Sequence, residues 1–206
     1  MNTITTKLIE YFEKLPGIGP RQAGRFVFFL LKQESEFLKN FGLMISNLKT
    51  SVIPCASCQR FFENDNENNN CSICRNPNRD KDILLVVEKD IDLESMEKAG
   101  FYNGQYFVLG GIIPLLIKEL PQEIKMKQLH DKVKKEMENN SLVEIILAFS
   151  ATTEGDNTAR YTEKILEPIA QKHSIKITRL GRGLSTGTEL EYSDKETIVN
   201  ALKTRR

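Results

Sequence analysis

No run of apolar residues in this 206-residue chain is long enough to cross a bilayer. The longest runs, around Phe26–Leu31 and Ile83–Val87, fall far short of the roughly 20 residues that a spanning helix needs. The opening stretch, Met1-Asn2-Thr3-Ile4-Thr5, has neither a basic segment nor an apolar one after it, so no secretory leader is expected and the chain reads as cytoplasmic. Histidine is scarce: His130 and His173 are the only two, neither falls in a motif, and both are expected at the surface. The glycines at 181, 183 and 187 are not followed by Gly-Lys-Ser/Thr, which argues against a P-loop. They read as a Gly-rich loop and a short strand, followed by a helix from Lys195 to Leu202.

Cysteine is limited to four residues, and their placement is informative. They stand as Cys55-Ala56-Ser57-Cys58 and Cys71-Ser72-Ile73-Cys74, two C-x-x-C pairs with twelve residues between them. Each pair can offer two thiolates to one metal from a single tight turn. Together they complete a tetrahedral shell for Zn²⁺ with Zn–S bonds of about 2.3 Å, leaving no position for water or substrate. Such a zinc is structural. Two disulfides or four free thiols are the alternatives, and the spacing together with the missing leader favours zinc. Residues 64–70, almost wholly Asn, Asp and Glu, read as a solvated excursion from the knuckle.

The net charge of +1 hides a division. Residues 1–50 carry +3 and residues 172–206 carry +4, whereas residues 81–171 carry −5. Basic ends suit a polyanion, and an acidic middle suits a basic protein partner or a metal.

Along the chain, Ile4, Leu8, Ile9, Phe12 and Leu15 recur at helical spacing. Leu15-Pro16-Gly17-Ile18-Gly19-Pro20 then breaks the helix, and the pattern resumes with Ala23, Phe26, Val27, Leu30 and Leu31 on one face. Helix, Gly-x-Gly turn and helix together resemble the helix-hairpin-helix motif of non-specific DNA-binding proteins. Gly17 and Gly19 let the backbone approach a phosphate, the second helix aims its N–H groups at it, and Arg21 and Arg25, four apart, reach the same backbone. A third helix over 34–50 has a broad apolar stripe (Phe37, Leu38, Phe41, Met44, Ile45, Leu48) that reads as core packing or a subunit interface.

From Asp82 the character changes. Ile83–Val87 reads as a strand buried on both faces. Strands at 105–109, 143–149 and 175–178 alternate with helices at 90–100, 126–139 and 154–171, which predicts a parallel α/β sheet with its sites at the carboxyl ends of the strands. Those ends carry Glu88, Asp90, Asp92, Glu154 and Asp156. This placement resembles the Toprim domain, which holds Mg²⁺ with a Glu after its first strand and an Asp-x-Asp pair after a later one. Glu88 matches the first. Ser150 and Thr152 stand where the aspartates would, so the fold reads as Toprim-like with catalysis lost. The rival reading is a Mg²⁺-dependent Toprim nuclease or primase-like enzyme built on the remaining acids.

Taken in order, L-P-G-I-G-P at 15–20, the two C-x-x-C pairs, V-V-E at 86–88, Y-F-V-L at 106–109, E-G at 154–155 and G-x-x-x-G-x-E-L-E-Y ending at Tyr192 resemble the RecR family of bacterial recombination mediators over nearly the whole chain. The resemblance implies an α+β, multidomain chain: a helix-hairpin-helix DNA-binding region at 1–52, a Cys₄ zinc finger at 53–79, a Toprim-like domain at 80–178 and a C-terminal oligomerisation segment at 179–206. It implies a non-catalytic, nucleoid-associated homo-oligomer, usually a tetrameric ring. Such a protein acts in DNA repair with RecO and RecF, helping RecA displace single-strand-binding protein at gaps. It also implies DNA contacts through Gly17, Gly19, Arg21 and Arg25, and a RecO-binding acidic face with Glu88, Asp92, Glu154 and Asp156. The sequence departs from the family in its long Asn-rich insert. It departs again after Gly110-Gly111, where Ile112-Ile113-Pro114 replaces His-x-Ser-Pro and Leu115-Leu116-Ile117 lacks the usual glycines.

Overall fold

The structure, a computed structural model, describes residues 3–64, 68–117, 119–138, 142–181, 187, 191, 193 and 195–203. Most of the Gly-rich tail, the strand expected within it and the centre of the Asn-rich insert lie outside the described residues. The chain divides into two units, Met1–Val52 and Ile53–Arg206. No helix among the described residues is long and apolar enough to cross a membrane.

In the first unit, α1 (Ile4–Glu13) and α2 (Pro20–Leu30) form a hairpin, and α3 (Ser35–Ser51) follows. Thr3 caps α1 by accepting a hydrogen bond from the Thr6 N–H through its hydroxyl. Gly17 turns the chain at φ +76°, a left-handed conformation that side chains with a Cβ disfavour. Pro20 opens α2 at its first position, where the missing N–H does no harm. Phe12 meets Phe26 edge to face at 5.6 Å, and behind them only Ala23 and Val27 are buried among the described residues of this unit. The stripe on α3 is not core: α3 buries no residue, and Phe37, Leu38, Phe41, Met44, Ile45 and Leu48 are all exposed. Core packing within one chain is therefore corrected. The amphipathic pattern was real, but among the described residues of this unit no element covers it.

In the second unit, β1 (Val52–Pro54) and β2 (Phe61–Glu63) form a small sheet around the cysteines, with the short α4 (Ser72–Arg75) after them. Four parallel strands follow in the order β4-β3-β5-β6: β3 (Ile83–Val87), β4 (Gln105–Val108), β5 (Glu144–Ala148) and β6 (Lys176–Arg179). The helices between them are α5 (Asp90–Ala99), α6 (Met126–Glu138) and α7 (Thr153–His173), and α8 (Lys195–Lys203) comes last. The expected strand–helix alternation is present, with ends shifted by a residue or two.

The two-residue period of a strand sorts β3 onto two cores. Leu84 and Val86 join Phe107, Leu109, Ile145 and Leu147 on the face covered by α6 and α7. Leu85 and Val87 join Tyr106, Val108 and Leu93 on the other, where Cys55, Cys58 and Cys71 complete the cluster. Each fully buried Leu or Val contributes about 1.5–3 kcal/mol.

Close approach requires glycine most sharply at Gly110 and Gly155. A Cβ at Gly110 would lie 2.1 Å from the carbonyl oxygen of Glu123, which passes directly beneath it. A Cβ at Gly155 would lie 1.9 Å from the carbonyl oxygen of Ser150, because the first turn of α7 folds back against the loop leaving β5. Neither oxygen belongs to a flexible side chain. Gly155→Ala is expected to lower stability by about 1–3 kcal/mol through this overlap, measured as a shift in urea midpoint. An unchanged midpoint would mean that α7 starts differently.

Candidate functional site

The four Sγ atoms of Cys55, Cys58, Cys71 and Cys74 all lie within 4.8 Å of one another. Cys58 and Cys71 place theirs 3.7 Å apart, close to the roughly 3.8 Å edge of a tetrahedron with 2.3 Å Zn–S bonds. The donor set is all thiol, and three of the four are buried. The Cys71 N–H donates to Cys55 Sγ at 3.3 Å, the kind of hydrogen bond that stabilises a thiolate. Hydrogen bonds from Cys58, Cys71 and Cys74 pull the Cys55 thiol far below its ordinary value. The set fits a closed, structural zinc site.

The knuckle is fastened to the sheet by contacts that span long stretches of sequence. The Val108 N–H, on the outer edge of β4, donates to the Cys58 carbonyl at 2.8 Å. Lys125 Nζ donates to the Gln59 carbonyl at 2.9 Å and lies over the Phe61 ring. Burial lowers the Lys125 ammonium value, and the Asp90 charge opposes that. Lys132 Nζ reaches Ser57 Oγ at 3.0 Å and Gln105 Oε1 at 2.8 Å. Asp90 Oδ1 accepts from the Phe61 N–H at 2.6 Å. Nothing in the sequence singles out Lys125 or Lys132. Their partners on the knuckle, Gln59 and Ser57, lie 66 and 75 residues away, beyond any local pattern.

The strand-end acids do not form one cluster of free carboxylates. Glu88 is 3% exposed. Its Oε1 receives Lys89 Nζ at 2.7 Å and its Oε2 receives the Ser150 hydroxyl. Burial pushes the Glu88 carboxyl upward, but the Lys89 ammonium and the Ser150 hydroxyl outweigh it, and the net value falls below the ordinary carboxylate range. Asp92 accepts from the Lys89 N–H at 2.9 Å and so closes the first turn of α5. Glu154 and Asp156 lie half-exposed in the first turn of α7, where their charge complements the helix dipole. Asp156 also faces Arg179 at 3.7 Å.

In the first unit, Gly17, Gly19, Arg21 and Arg25 lie at the hairpin and on the opening turns of α2, and both arginines are exposed. Gly19 has φ −91°, which any residue adopts, and a Cβ there would meet nothing within 4 Å. The histidines are less exposed than expected: both are half-buried and flank a groove of about 520 Å³ between α6 and α7.

Two outcomes are expected. Because folding and metal binding are coupled, a strong chelator or Cys58→Ser should lower the melting temperature and remove one zinc per chain, read by calorimetry and native mass together. An unchanged melt after complete metal removal would sink the structural role. Glu88→Gln should lower stability at neutral pH and make the acid limb shallower. A carboxylate with a lowered folded-state value stabilises above its unfolded value, and that part is lost as pH falls through the folded one. Parallel stability–pH curves for the two proteins would contradict this.

Comparison with known proteins agrees with this arrangement. A family model described as the RecR helix-hairpin-helix matches residues 5–47, and a Toprim domain model matches residues 82–181. The recombination protein RecR of Chloroherpeton thalassium is 39% identical over 198 residues, covering 96% of this chain and 94% of that protein. With its helix-hairpin-helix, its four-cysteine cluster and its Toprim sheet in that order, the chain belongs to the RecR family.

Proposed function

We propose that this protein is a non-catalytic, DNA-binding recombination mediator in DNA repair, acting with RecO and RecF to help load RecA at single-strand gaps. The observation that carries the DNA reading is Gly19. Neither its backbone angles nor its surroundings among the described residues call for glycine. A close external approach does, and the N–H groups opening α2 are the donors that a phosphate would meet. Arg21 and Arg25 extend that contact without reading sequence.

The exposed apolar side chains of α1, α2 and α3 support a homo-oligomer, since an uncovered surface of this kind marks an interface. A tetrameric ring is the form that we favour. The cysteines hold Zn²⁺, which supplies a fixed tetrahedral crosslink and no reactive position. The partner face comprises Asp92, Glu154 and Asp156, with Glu88 behind them contributing charge and support from within. The non-catalytic reading is supported by Glu88 itself: both its oxygens are engaged, and hydroxyls stand at 150 and 152 where the Mg²⁺-binding acids would be.

Arg21→Ala/Arg25→Ala is expected to weaken binding to all DNA sequences alike. It should also reduce the slope of log K against log salt by about one for each lost phosphate contact. Native mass spectrometry should record the same oligomer and zinc content as the parent. Equal affinity and equal salt slope would leave the hairpin as a turn only. Mg²⁺-dependent nicking that Glu88→Gln abolishes would replace a mediator with an enzyme.

A further inference from the structure

The segment after β4, where the sequence departs from its family, has a defined shape. Its two ends are pinned together by the Lys125 N–H donating to the Leu109 carbonyl at 2.8 Å. Its first half is seated on α7. The Ile113 N–H donates to Thr158 Oγ1 at 2.7 Å, and Asn157 Nδ2 donates to the carbonyls of Ile113 and Pro114, both at 3.1 Å. Ile113 is fully buried, and Ile117 and Leu120 pack against the same core cluster. Between these anchors, Leu115 is 53% exposed and Leu116 is 96% exposed. A closed surface loop with its apolar side chains turned inward is a common compact form. Here two leucines are instead held outward from a base fixed on both sides.

The surroundings specify what would cover them. Glu119 and Glu123 are exposed further along the same loop, and Glu154 and Asp156 lie in the first turn of the helix on which the loop sits. Of the described cations on this side, Lys125 is engaged with Gln59, and Arg179 with Glu163 and Asp156, while Arg160 is exposed one turn along α7 from Asn157. Among the described residues the exposed face is therefore apolar at its centre, with more acids than bases around it. Its complement is an apolar cleft rimmed by lysine or arginine. The backbone that carries the two leucines is anchored on both sides before binding, so it loses less freedom when they dock.

We infer that residues 112–117 form a two-leucine finger that inserts Leu115 and Leu116 into a basic-rimmed apolar cleft on the protein partner, with the neighbouring acids setting orientation and on-rate. This rests on the partner face proposed above and names its anchor.

The test uses the full chain and the RecO protein of the same genome. Leu115→Ser/Leu116→Ser should weaken the complex about tenfold or more, mainly through faster dissociation. Melting temperature, oligomer mass and DNA affinity should stay as in the parent, because neither leucine is core. Leu115→Met/Leu116→Met, which keeps the apolar surface, should retain binding. Glu154→Gln should slow association and reduce its salt dependence. A serine variant that binds RecO as the parent does overturns the finger and leaves the mediator reading in place. A changed oligomer mass also overturns it, because the leucines would then lie between copies of this chain. Absence of any complex with the parent protein overturns the partner reading itself, and the finger with it.

Discussion

The packing of the cysteine knuckle against one face of the parallel sheet is the constraint on which the second unit depends. A parallel sheet is stable only when both faces are covered. On one face α6 and α7 supply that cover, with Leu129, Val133 and Leu166 fully buried. On the other, α5 is ten residues long and buries only Leu93. The rest of that layer is the knuckle, whose Cys55, Cys58 and Cys71 lie in one cluster with Leu85, Val87, Tyr106 and Val108. The thiols thus serve as ligands at one end and as core atoms at the other. The four-cysteine cluster and the Toprim sheet are one structural problem, solved once.

How much of this was legible in the sequence follows from the range of each interaction. Ligand spacing, the Gly-x-Gly turn and the continuous run at 83–87 are local signals, and each led to the right element. The docking of the knuckle was not legible, because Val108, Lys125, Lys132 and Asp90 reach it from separate parts of the chain. A period of 3.6 shows that α3 has an apolar face, but not whether its own chain covers it. Counting acids at strand ends drew attention to Glu88, which directly follows β3. It could not show that Lys89 and Ser150 occupy its two oxygens, since that depends on how the loop after β5 returns to the end of β3.

The acids left at the carboxyl ends of the strands have taken on structural tasks. Asp90 holds the knuckle through the Phe61 N–H, Asp92 closes the first turn of α5, and Glu88 ties β3 to the loop leaving β5. A position that would face a metal in an enzyme here faces a hydroxyl and an ammonium. Glu154 and Asp156 remain half-exposed in the first turn of α7, where Asp156 faces Arg179.

The hydrogen bond between Val108 and Cys58 has a further consequence. β4 lies at the edge of the sheet, and an open edge is a template for pairing with another chain. By placing the Cys58 carbonyl on that edge, the knuckle occupies part of a surface on which a foreign strand could grow. The knuckle therefore also protects an edge of the sheet. A knuckle detached from the sheet would open that seam to neighbouring chains, so the four cysteines bear on aggregation as well as on folding.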